Sequence, residues 1–508
     1  APRARRPRAR LPPMGASCGS GVKDIEDLSG PLRTSACGSR GLVPQEDEQW
    51  LERLRAETGV KPLYRAQDIR VVHLELTTRC NAACPQCARN EQGGQENPLL
   101  RDHHAELSAA DVQRLLPPRL LRRLKKVLIC GNFGDPGVAK ECLEVLKYLC
   151  SVRGGARVGL FTNGGMRSPE WWAELGRAMQ PAERAFVRFA IDGDESTNHL
   201  YRQHVDWGRL MANVRAFLDA GGNAEWDFIV FEHNEHQVEQ VRALAEQMGF
   251  TRFSAKKTSR FLDRKRGVVR EFTPVRDGSG DVVRQLRPPR DPQWQNTAAV
   301  RDAQETLAAH GTMEAYYDAC EVKCKAAVDR ELYISAEGLA FPCCWIAQDL
   351  YSAGLKDADR QIVRLLGAAD PLRGIRSQSV LGREGIEGVV NRKRGLFDHL
   401  VHAAARQPSV AAGRLGTCAR VCGTGVRAFA GQFEGARQQL DPALRAPPAA
   451  AAAAREPEAK VCAAAPLLIW YGSETGNAER LARRAAAVFG AAAEVSSPPP
   501  PGGFARAL

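Results

Sequence analysis

The chain has 508 residues, enough for two or three domains of about 100–200 residues each. Its hydrophobic content of 44% is ordinary for a globular protein, and no apolar run approaches the roughly 18 residues of a membrane span. The 15 cysteines are not spaced like those of a small secreted scaffold, so they indicate metal ligands in a reducing compartment. We therefore expect a cytoplasmic or organellar protein that is neither secreted nor bound to a membrane.

The net charge of +12 is concentrated in two windows. Residues 1–22 contain five arginines and no acidic residue, and residues 251–300 contain twelve Lys or Arg against five Asp or Glu. Such patches bind nucleic acid or acidic proteins, although a solvated loop is the more common explanation. Residues 1–66 are predicted to be a basic, partly disordered extension. Its first 13 residues suit an organellar transit peptide, and translated leader upstream of Met14 is the alternative.

Three cysteines follow the first predicted strand. The apolar stretch 71–76 reads as a buried strand, and Cys80, Cys84 and Cys87 come next with the spacing C-x3-C-x2-C. Three thiolates on one tight loop can hold three irons of a cubane [4Fe–4S] cluster and leave the fourth iron open for a ligand. No fourth Cys or His lies close by, as a closed zinc site would need. A zinc knuckle completed by a distant residue, or buried apolar thiols, is the alternative.

Strands and helices alternate behind the triplet. Apolar segments predict six strands, at residues 71–76, 126–130, 158–162, 186–191, 226–231 and 252–255. Helical periodicity is found between several of them, at residues 109–124, 139–149 and 236–248. This alternation predicts an α/β fold with a parallel sheet and helices outside.

The cysteine triplet and the six units together resemble the radical S-adenosylmethionine (SAM) enzymes. The resemblance implies a partial (β/α)6 TIM-like barrel over residues 67–260. It also implies that the cluster at Cys80, Cys84 and Cys87 binds SAM at its open iron. Reductive cleavage of SAM would then give a 5′-deoxyadenosyl radical that abstracts hydrogen from a substrate.

The same resemblance implies SAM contacts at the strand ends. Gly134, Asp135 and Pro136 are similar to the family's Gly-Gly-Glu-Pro turn, although Phe133 replaces a Gly and Asp135 replaces Glu. Asn163 ends the third strand, and Asp192 ends the fourth, where it is placed to accept bonds from the ribose hydroxyls. Each could instead be simple turn chemistry. The family often has an aromatic residue before the third cysteine, where this chain has Gln86.

A second cysteine set follows a basic linker at residues 261–315. Residues 316–430 contain Cys324, Cys343, Cys418 and Cys422, and residues 331–345 read as a β-hairpin with Gly338 in its turn. This segment resembles the SPASM extension of radical SAM enzymes or its shorter twitch form. The resemblance implies a small cysteine-rich α+β domain with one auxiliary [4Fe–4S] cluster. A C4 zinc site is the alternative, and Cys320 is a substitute ligand.

An incomplete third domain ends the chain. After an Ala- and Pro-rich linker at residues 431–465, residues 466–472 read as a strand, followed by a loop and a helix at 480–489. The loop resembles the FMN-phosphate loop of flavodoxins, which implies phosphate contacts at Ser473, Thr475, Gly476 and Asn477. Residues 466–508 are too few for the roughly 140 residues of a flavodoxin fold, so FMN is expected only in a complete domain.

The sequence thus predicts an iron–sulfur oxidoreductase of the radical SAM type. Its substrate is a peptide or small molecule, and its electron donor is of the flavodoxin or ferredoxin type. Two alternatives stay open at this point. One is an RNA-base-modifying radical SAM enzyme fused to a flavodoxin, and the other is a non-catalytic zinc or iron–sulfur module that binds nucleic acid.

Overall fold

The structure, a computed structural model, describes residues 45–101, 103–180, 185–351, 361–369, 373–425, 431–432, 437–439, 467–470 and 493–496. The chain separates into two compact units, Ala1–Ala446 and Pro447–Leu508. Much of the predicted basic extension, and the predicted helix at 480–489, lie outside the described residues. Among the described residues, no helix combines the length and the hydropathy that crossing a membrane requires.

The strands, numbered in chain order, are β1 Val71–Leu74, β2 Lys126–Ile129, β3 Arg157–Thr162, β4 Phe186–Ala190, β5 Ala224–Ile229, β6 Arg252–Lys256, β7 Leu262–Asp263, β8 Val268–Val269, β9 Thr273–Arg276, β10 Val282–Leu286, β11 Glu331–Ile334, β12 Ala340–Phe341, β13 Arg437–Gln439, β14 Leu467–Trp470 and β15 Ala493–Ser496. The α-helices are α1 Gln45–Ala56, α2 Pro98–Arg101, α3 Ala109–Leu115, α4 Pro118–Leu121, α5 Cys142–Ser151, α6 Pro169–Met179, α7 Asn198–Tyr201, α8 Trp207–Asp219, α9 Val238–Met248, α10 Thr297–His310, α11 Met313–Ala319, α12 Lys325–Asp329, α13 Cys344–Gln348, α14 Gln361–Ala369, α15 Gly385–Val390, α16 Val401–Ala405 and α17 Gly416–Cys422.

The first unit is built on a nine-stranded, mostly parallel sheet. Its order is β12-β11-β1-β2-β3-β4-β5-β6-β13. The six predicted strands are therefore present, parallel and in sequential order. Because crossovers between parallel strands are right-handed, a sheet whose order never reverses places its connecting helices on one face. This arrangement is consistent with an open barrel and differs from a doubly wound sheet, where the order reverses.

The two faces of the sheet differ sharply in chemistry. Toward the helices, Phe189 on β4 packs its ring 5.2 Å from that of Trp172 and 5.9 Å from that of Phe217. On the opposite face, successive strands present charged side chains, because neighbouring residues of a strand point to opposite sides. Arg188 on β4 pairs with Glu225 on β5 at 2.5 Å. This face of the sheet is therefore lined by charged side chains that pair with one another.

The hairpin predicted at residues 331–345 forms, but it is not a separate sheet. β11 and β12 are antiparallel, and Gly338 lies in the turn between them with a φ of 73°. β11 also pairs with β1 in parallel, so the cysteine-rich segment extends the sheet of the first unit. β13 adds an antiparallel strand at the other edge, beside β6.

One helix prediction is wrong in length. Residues 109–124 form two helices, α3 and α4, rather than one. Pro117 and Pro118 separate them, because a proline inside a helix removes a hydrogen bond and clashes with the preceding turn. In the second unit, β14 Leu467–Trp470 lies within the predicted strand 466–472, and it pairs in parallel with β15, a strand that was not predicted.

Candidate functional site

The cysteine triplet lies on the loop that leaves β1 at the carboxyl edge of the sheet. Cys84 is buried, and Cys80 and Cys87 are half-buried. The loop is tight, because the Cys87 amide donates a hydrogen bond to the Cys84 carbonyl at 3.0 Å. Burial raises the pKa of Cys80, and the Asp135 carboxylate and the neighbouring thiols raise it further. Burial, together with the Cys87 thiol, raises the pKa of Cys84 to about 11. Metal binding at this loop therefore has to displace protons from the thiols.

Polar hydrogens are directed at two of the three sulfurs. The Ala82 amide lies 3.4 Å from Cys80 Sγ, and Asn163 Nδ2 lies 3.9 Å from the same atom. Arg202 Nη1 lies 3.6 Å from Cys84 Sγ. N–H groups around sulfur stabilise the thiolate form, which is the form that ligates iron. The donor set therefore fits a thiolate-ligated cluster.

The turn after β2 is locked to the cysteine loop through backbone contacts. The Asp135 amide donates to the Arg79 carbonyl at 2.8 Å. A Cβ on Gly134 would stand 1.8 Å from the Thr77 carbonyl oxygen, so only glycine allows this approach. The glycine of the predicted turn is therefore required by the fit between two loops.

Glu75, a residue that the sequence analysis missed, is hydrogen-bonded to the same turn. Its Oε1 accepts hydrogen bonds from the Phe133 and Gly134 amides at 2.8 and 3.1 Å. Its Oε2 accepts from the Tyr333 hydroxyl of β11. Burial raises the pKa of Glu75 to about 7. Glu75, in the segment between β1 and the cysteine loop, thereby links the turn after β2 to β11.

Asp135 is buried and is hydrogen-bonded within the protein. Oδ1 accepts from Thr162 Oγ1 and from the Gly137 amide, both at 2.8 Å. Oδ2 accepts from the Asn163 amide at 2.7 Å. Burial raises the pKa of Asp135 above its ordinary range. The residue ties the end of β2 to the end of β3, and one lone pair of Oδ2 is left for a cation.

Asn163 lies between the third strand end and the cysteine loop. Its Nδ2 donates to Asn81 Oδ1 at 2.8 Å, in addition to its contact with Cys80 Sγ. Its Oδ1 accepts from the Gly165 amide at 2.9 Å. Pro136 begins a short 3-10 turn that is also buried. The structure therefore brings Gly134, Asp135, Pro136 and Asn163 together around the cysteine loop.

Asp192 follows β4, as predicted, and both of its carboxylate oxygens have partners within the protein. Its side chain is fully buried, with 0% exposure. Oδ2 accepts from Arg202 Nε at 2.6 Å, and Oδ1 accepts from the Ile229 amide at 2.6 Å. Burial alone would lower the pKa of Arg202, but Asp192 and the Cys84 thiol raise it above its ordinary value. Asp192 thus acts on the cysteine loop through Arg202.

A second arginine lies near the triplet. Arg260 Nη1 donates to the Tyr201 hydroxyl at 2.6 Å, and Tyr201, followed by the thiols of Cys87 and Cys84, raises the pKa of Arg260. Neither Arg202 nor Arg260 belongs to a motif in the sequence. In the sequence, the only indication of these two residues was the frequency of arginines after the fourth and sixth strands. That frequency does not show where the side chains point.

The polar exit of β5 is used mainly for local structure. Asn234 Oδ1 accepts from the Phe231 amide at 2.7 Å, and its Nδ2 donates to the Asp192 carbonyl at 2.9 Å. Glu232 pairs with Arg290, and Glu235 accepts from the Asp291 amide. His233 stacks on Phe231 with ring centroids 5.4 Å apart. Burial lowers the pKa of His233 to about 4, so it is neutral at physiological pH.

The second cysteine set lines one cavity of ≈ 170 Å³. Cys324, Cys343, Cys418 and Cys422 all border it, and so does Cys344. Burial raises the pKa of Cys418, and the thiols of Cys343, Cys324 and Cys422 raise it further because they are close. Four thiols around one cavity fit a fully ligated metal cluster.

Cys320 lies outside this cavity. It packs with Tyr316 and Ala419 in a separate small cluster, and its Sγ lies 3.7 Å from the Tyr317 carbonyl oxygen. Among the described residues, no three His, Cys, Asp or Glu side chains are close enough to hold one metal ion. A cluster spreads its ligands over four irons, so its ligands need not surround one ion. The residues fit a cluster because four thiols border one cavity and N–H groups surround the sulfurs of the first set. The predicted FMN contacts Ser473, Thr475, Gly476 and Asn477 lie outside the described residues.

Known proteins are similar to part of this chain. No family model matches the chain. A probable GTP 3′,8-cyclase of Methanopyrus kandleri is 33% identical over 137 residues, which are 27% of this chain and 38% of the relative. A PqqA peptide cyclase of Rhodopseudomonas palustris is 32% identical over 127 residues, which are 25% of this chain and 29% of the relative. The chain thus matches about a third of each relative's length.

The likeness is to enzymes. Both relatives are named as cyclases, and cyclases are enzymes. Among solved structures, SuiB of Streptococcus suis bound to S-adenosylmethionine is 13% identical over 69% of this chain and 77% of SuiB, with a TM-score of 0.36. The enzyme anSMEcpe with bound AdoMet is 13% identical over 54% of this chain and 72% of that chain, with a TM-score of 0.33. TM-scores this low carry no argument about fold or function.

Proposed function

We propose that the chain is a radical SAM enzyme in which Cys80, Cys84 and Cys87 hold three irons of a [4Fe–4S] cluster. One observation carries the proposal: the three thiols share one short loop, and N–H groups of Ala82, Asn163 and Arg202 are directed at the sulfurs of Cys80 and Cys84. Zinc knuckles also use thiolates, but they need a fourth ligand close by. A (β/α)6 partial barrel around this loop belongs to the same proposal.

When bound, the cluster would deliver one electron to SAM and so supply a 5′-deoxyadenosyl radical that abstracts hydrogen from the substrate. The chain's own residues position the reaction. Glu75 and the Gly134 contact hold the β2 turn against the cysteine loop. Asp135 keeps one lone pair of Oδ2 for the SAM ammonium group, and the Gly134 and Pro136 carbonyls lie in the same turn. Holding these groups in place before reaction is what the protein contributes to the rate.

For the strand ends, we propose two kinds of role. Asn163 lies within reach of both the cysteine loop and Asp135, so it would contact SAM or the cluster edge. Asp192 would act indirectly, because both of its oxygens are already used and its side chain is fully buried. Its role would be to orient Arg202 toward Cys84.

The auxiliary site would hold one further [4Fe–4S] cluster through Cys324, Cys343, Cys418 and Cys422, in a domain of the twitch type. Its support is the common cavity that these thiols border. The cluster would pass electrons to or from the substrate site. Electrons would come from a flavodoxin- or ferredoxin-type donor. The flavodoxin-like fragment at residues 466–508 would bind FMN only as part of a complete domain.

For the substrate, we propose a peptide. One of the two relatives is named a PqqA peptide cyclase, and the auxiliary cysteine set resembles an extension found on peptide-modifying members of the family. A nucleotide or RNA base is the second candidate, because the other relative is named for GTP. The chemical structure of the product would identify the C–H bond that reacts.

Anaerobic reconstitution tests the proposal. The wild-type protein should take up about eight irons with matching sulfide, as two cubane clusters require. With dithionite and SAM, it should form 5′-deoxyadenosine, measured by liquid chromatography and mass spectrometry. Cys80→Ala, Cys84→Ala and Cys87→Ala should each abolish that product, whereas Cys418→Ala should remove about half of the iron.

Cys150→Ala is the matched control, because Cys150 is buried in α5 and borders neither site. It should retain the iron content and the SAM cleavage of the wild type. A wild-type protein that binds zinc in place of iron and forms no 5′-deoxyadenosine would overturn the proposal and favour a non-catalytic module.

A further inference from the structure

The hairpin β9–β10 lies across the loops at the carboxyl edge of the parallel sheet. At one end, Thr273 Oγ1 accepts from Gln86 Nε2 at 3.1 Å, between two of the cluster cysteines. The Arg276 amide donates to the Gln92 carbonyl at 2.9 Å. At the other side, the Glu232 amide donates to the Arg287 carbonyl at 3.3 Å, after β5. The hairpin and the residue that follows it therefore contact both the β1 loop, which carries the cysteine triplet, and the segment after β5.

The outer edge of β10, up to the Arg287 contact with Glu232, has no strand partner among the described residues. Among the described residues, β10 pairs with β9 and with no other strand. Val282 and Val283 are 53% and 59% exposed, which is high for valine in a strand. The register is irregular between Val282 and Arg284, and it is regular from Arg284 to Leu286. An unpaired edge with exposed apolar side chains is a template for another extended chain.

Arg284 gives this edge a charge preference. Its side chain is half-buried, and its Nη2 donates to the Leu200 carbonyl at the end of α7. No carboxylate pairs with Arg284 in the part of the chain that the structure describes. Arg202, which follows α7 directly, bonds to Cys84 Sγ. A carboxylate bound at Arg284 would therefore lie on the path from the hairpin to the cysteine loop.

We propose that β10 binds the substrate as an added antiparallel or parallel strand, and that the substrate is an extended peptide with a Glu or Asp side chain paired to Arg284. Peptide binding by strand addition takes its affinity from main-chain hydrogen bonds and its selectivity from alternate side chains. The inference rests on the proposed function and names the substrate class more closely. It also explains why the hairpin strand next to the reaction site exposes valine.

The test uses a defined probe with the full chain after anaerobic reconstitution. A fluorescein-labelled peptide of seven residues, alternating valine and glutamate, should bind the wild-type protein in an anisotropy titration. A probe with glutamine in place of glutamate should bind about tenfold more weakly, and Arg284→Gln should weaken the glutamate probe to the same extent. Val283→Pro should abolish binding, because proline removes an edge N–H donor and blocks pairing.

Strand addition also predicts which backbone amides of the probe are needed for binding. Only alternate amides of an added strand face the protein. Peptides N-methylated on odd or on even positions should therefore differ, with one series inactive and the other close to the parent. Val269→Pro, which changes a 47% exposed valine in the hairpin β7–β8, is the matched control and should leave probe binding intact.

The outcomes separate this inference from the proposed function. A wild-type protein that cleaves SAM but does not bind the glutamate probe, or that tolerates both N-methylated series, overturns the inference. Equal binding of the glutamate and glutamine probes overturns the role of Arg284. A protein that binds the probe at β10 but forms no 5′-deoxyadenosine under reductant supports the docking surface and overturns the radical SAM assignment.

Discussion

Glu75→Gln is the substitution whose effect follows most directly from the structure. Glu75 is 1% exposed and accepts three hydrogen bonds, from Phe133, Gly134 and Tyr333. Burial raises its pKa from 4.5 to about 7, so the folded protein holds a proton that the unfolded chain releases above pH 4.5. Stability from this group is thus present below pH 4.5 and declines as the pH rises through 7.

The magnitude follows from the two pKa values. A change from 4.5 to about 7 corresponds to roughly 3 kcal/mol between the protonated and ionised forms. Gln keeps the shape of the side chain, accepts from both amides and does not ionise. At about 2–4 °C per kcal/mol, Glu75→Gln should raise the Tm at pH 8 by roughly 6–12 °C relative to the wild type, and should change the Tm little at pH 5.

The assay is thermal unfolding by intrinsic fluorescence, under anaerobic conditions, from pH 5 to pH 8. Glu174→Gln, at an exposed ion pair with Lys147, controls for the loss of a carboxylate as such and should show no comparable pH dependence. Parallel Tm profiles of the wild type and Glu75→Gln across this range would refute the argument, because they would show that Glu75 is ionised in the folded protein.

Three further changes have defined expectations. Gly134→Ala should lower SAM affinity at least tenfold, because its Cβ would stand 1.8 Å from the Thr77 carbonyl oxygen; SAM binding is measured by equilibrium dialysis, with Gly208→Ala as an unhindered control. Asp192→Asn should cost about 3–5 kcal/mol, because it leaves the half-buried Arg202 without its carboxylate; retention of the wild-type Tm would contradict that. Trp172→Ala should cost about 3–5 kcal/mol in unfolding free energy, since its ring is 0% exposed, and the half-buried neighbour Trp171→Ala should cost less than half as much.

Much of the first site could be read from short stretches of chain. The cysteine spacing, the six strands and the turn at Gly338 each depend on fewer than about twenty neighbouring residues, so local periodicity and motif spacing reveal them. The same holds for the turn at Gly134, where the need for glycine is visible in sequence even though its cause is a contact with Thr77. The parallel order of the strands then follows from the handedness of crossovers.

The roles of individual polar side chains could not be read in this way. Asp192 looks like a free strand-end carboxylate, but it is buried against Arg202, which is directed at Cys84. Arg284 looks like one of many arginines in a basic segment, yet its direction toward α7 distinguishes it. The sequence gives the charge and type of each residue directly. The direction in which a side chain points depends on which loops meet at the edge of the sheet.

By itself, the sequence determined the cysteine loop, the succession of strands and the four thiols of the second set. Only the tertiary structure decided that β11 pairs with β1, so that Tyr333 reaches Glu75 across 258 positions of the chain. The physical reason is that backbone hydrogen bonds between strands are the same for any sequence. The choice of neighbour is therefore made by packing over the whole unit, and no local pattern of residues records it.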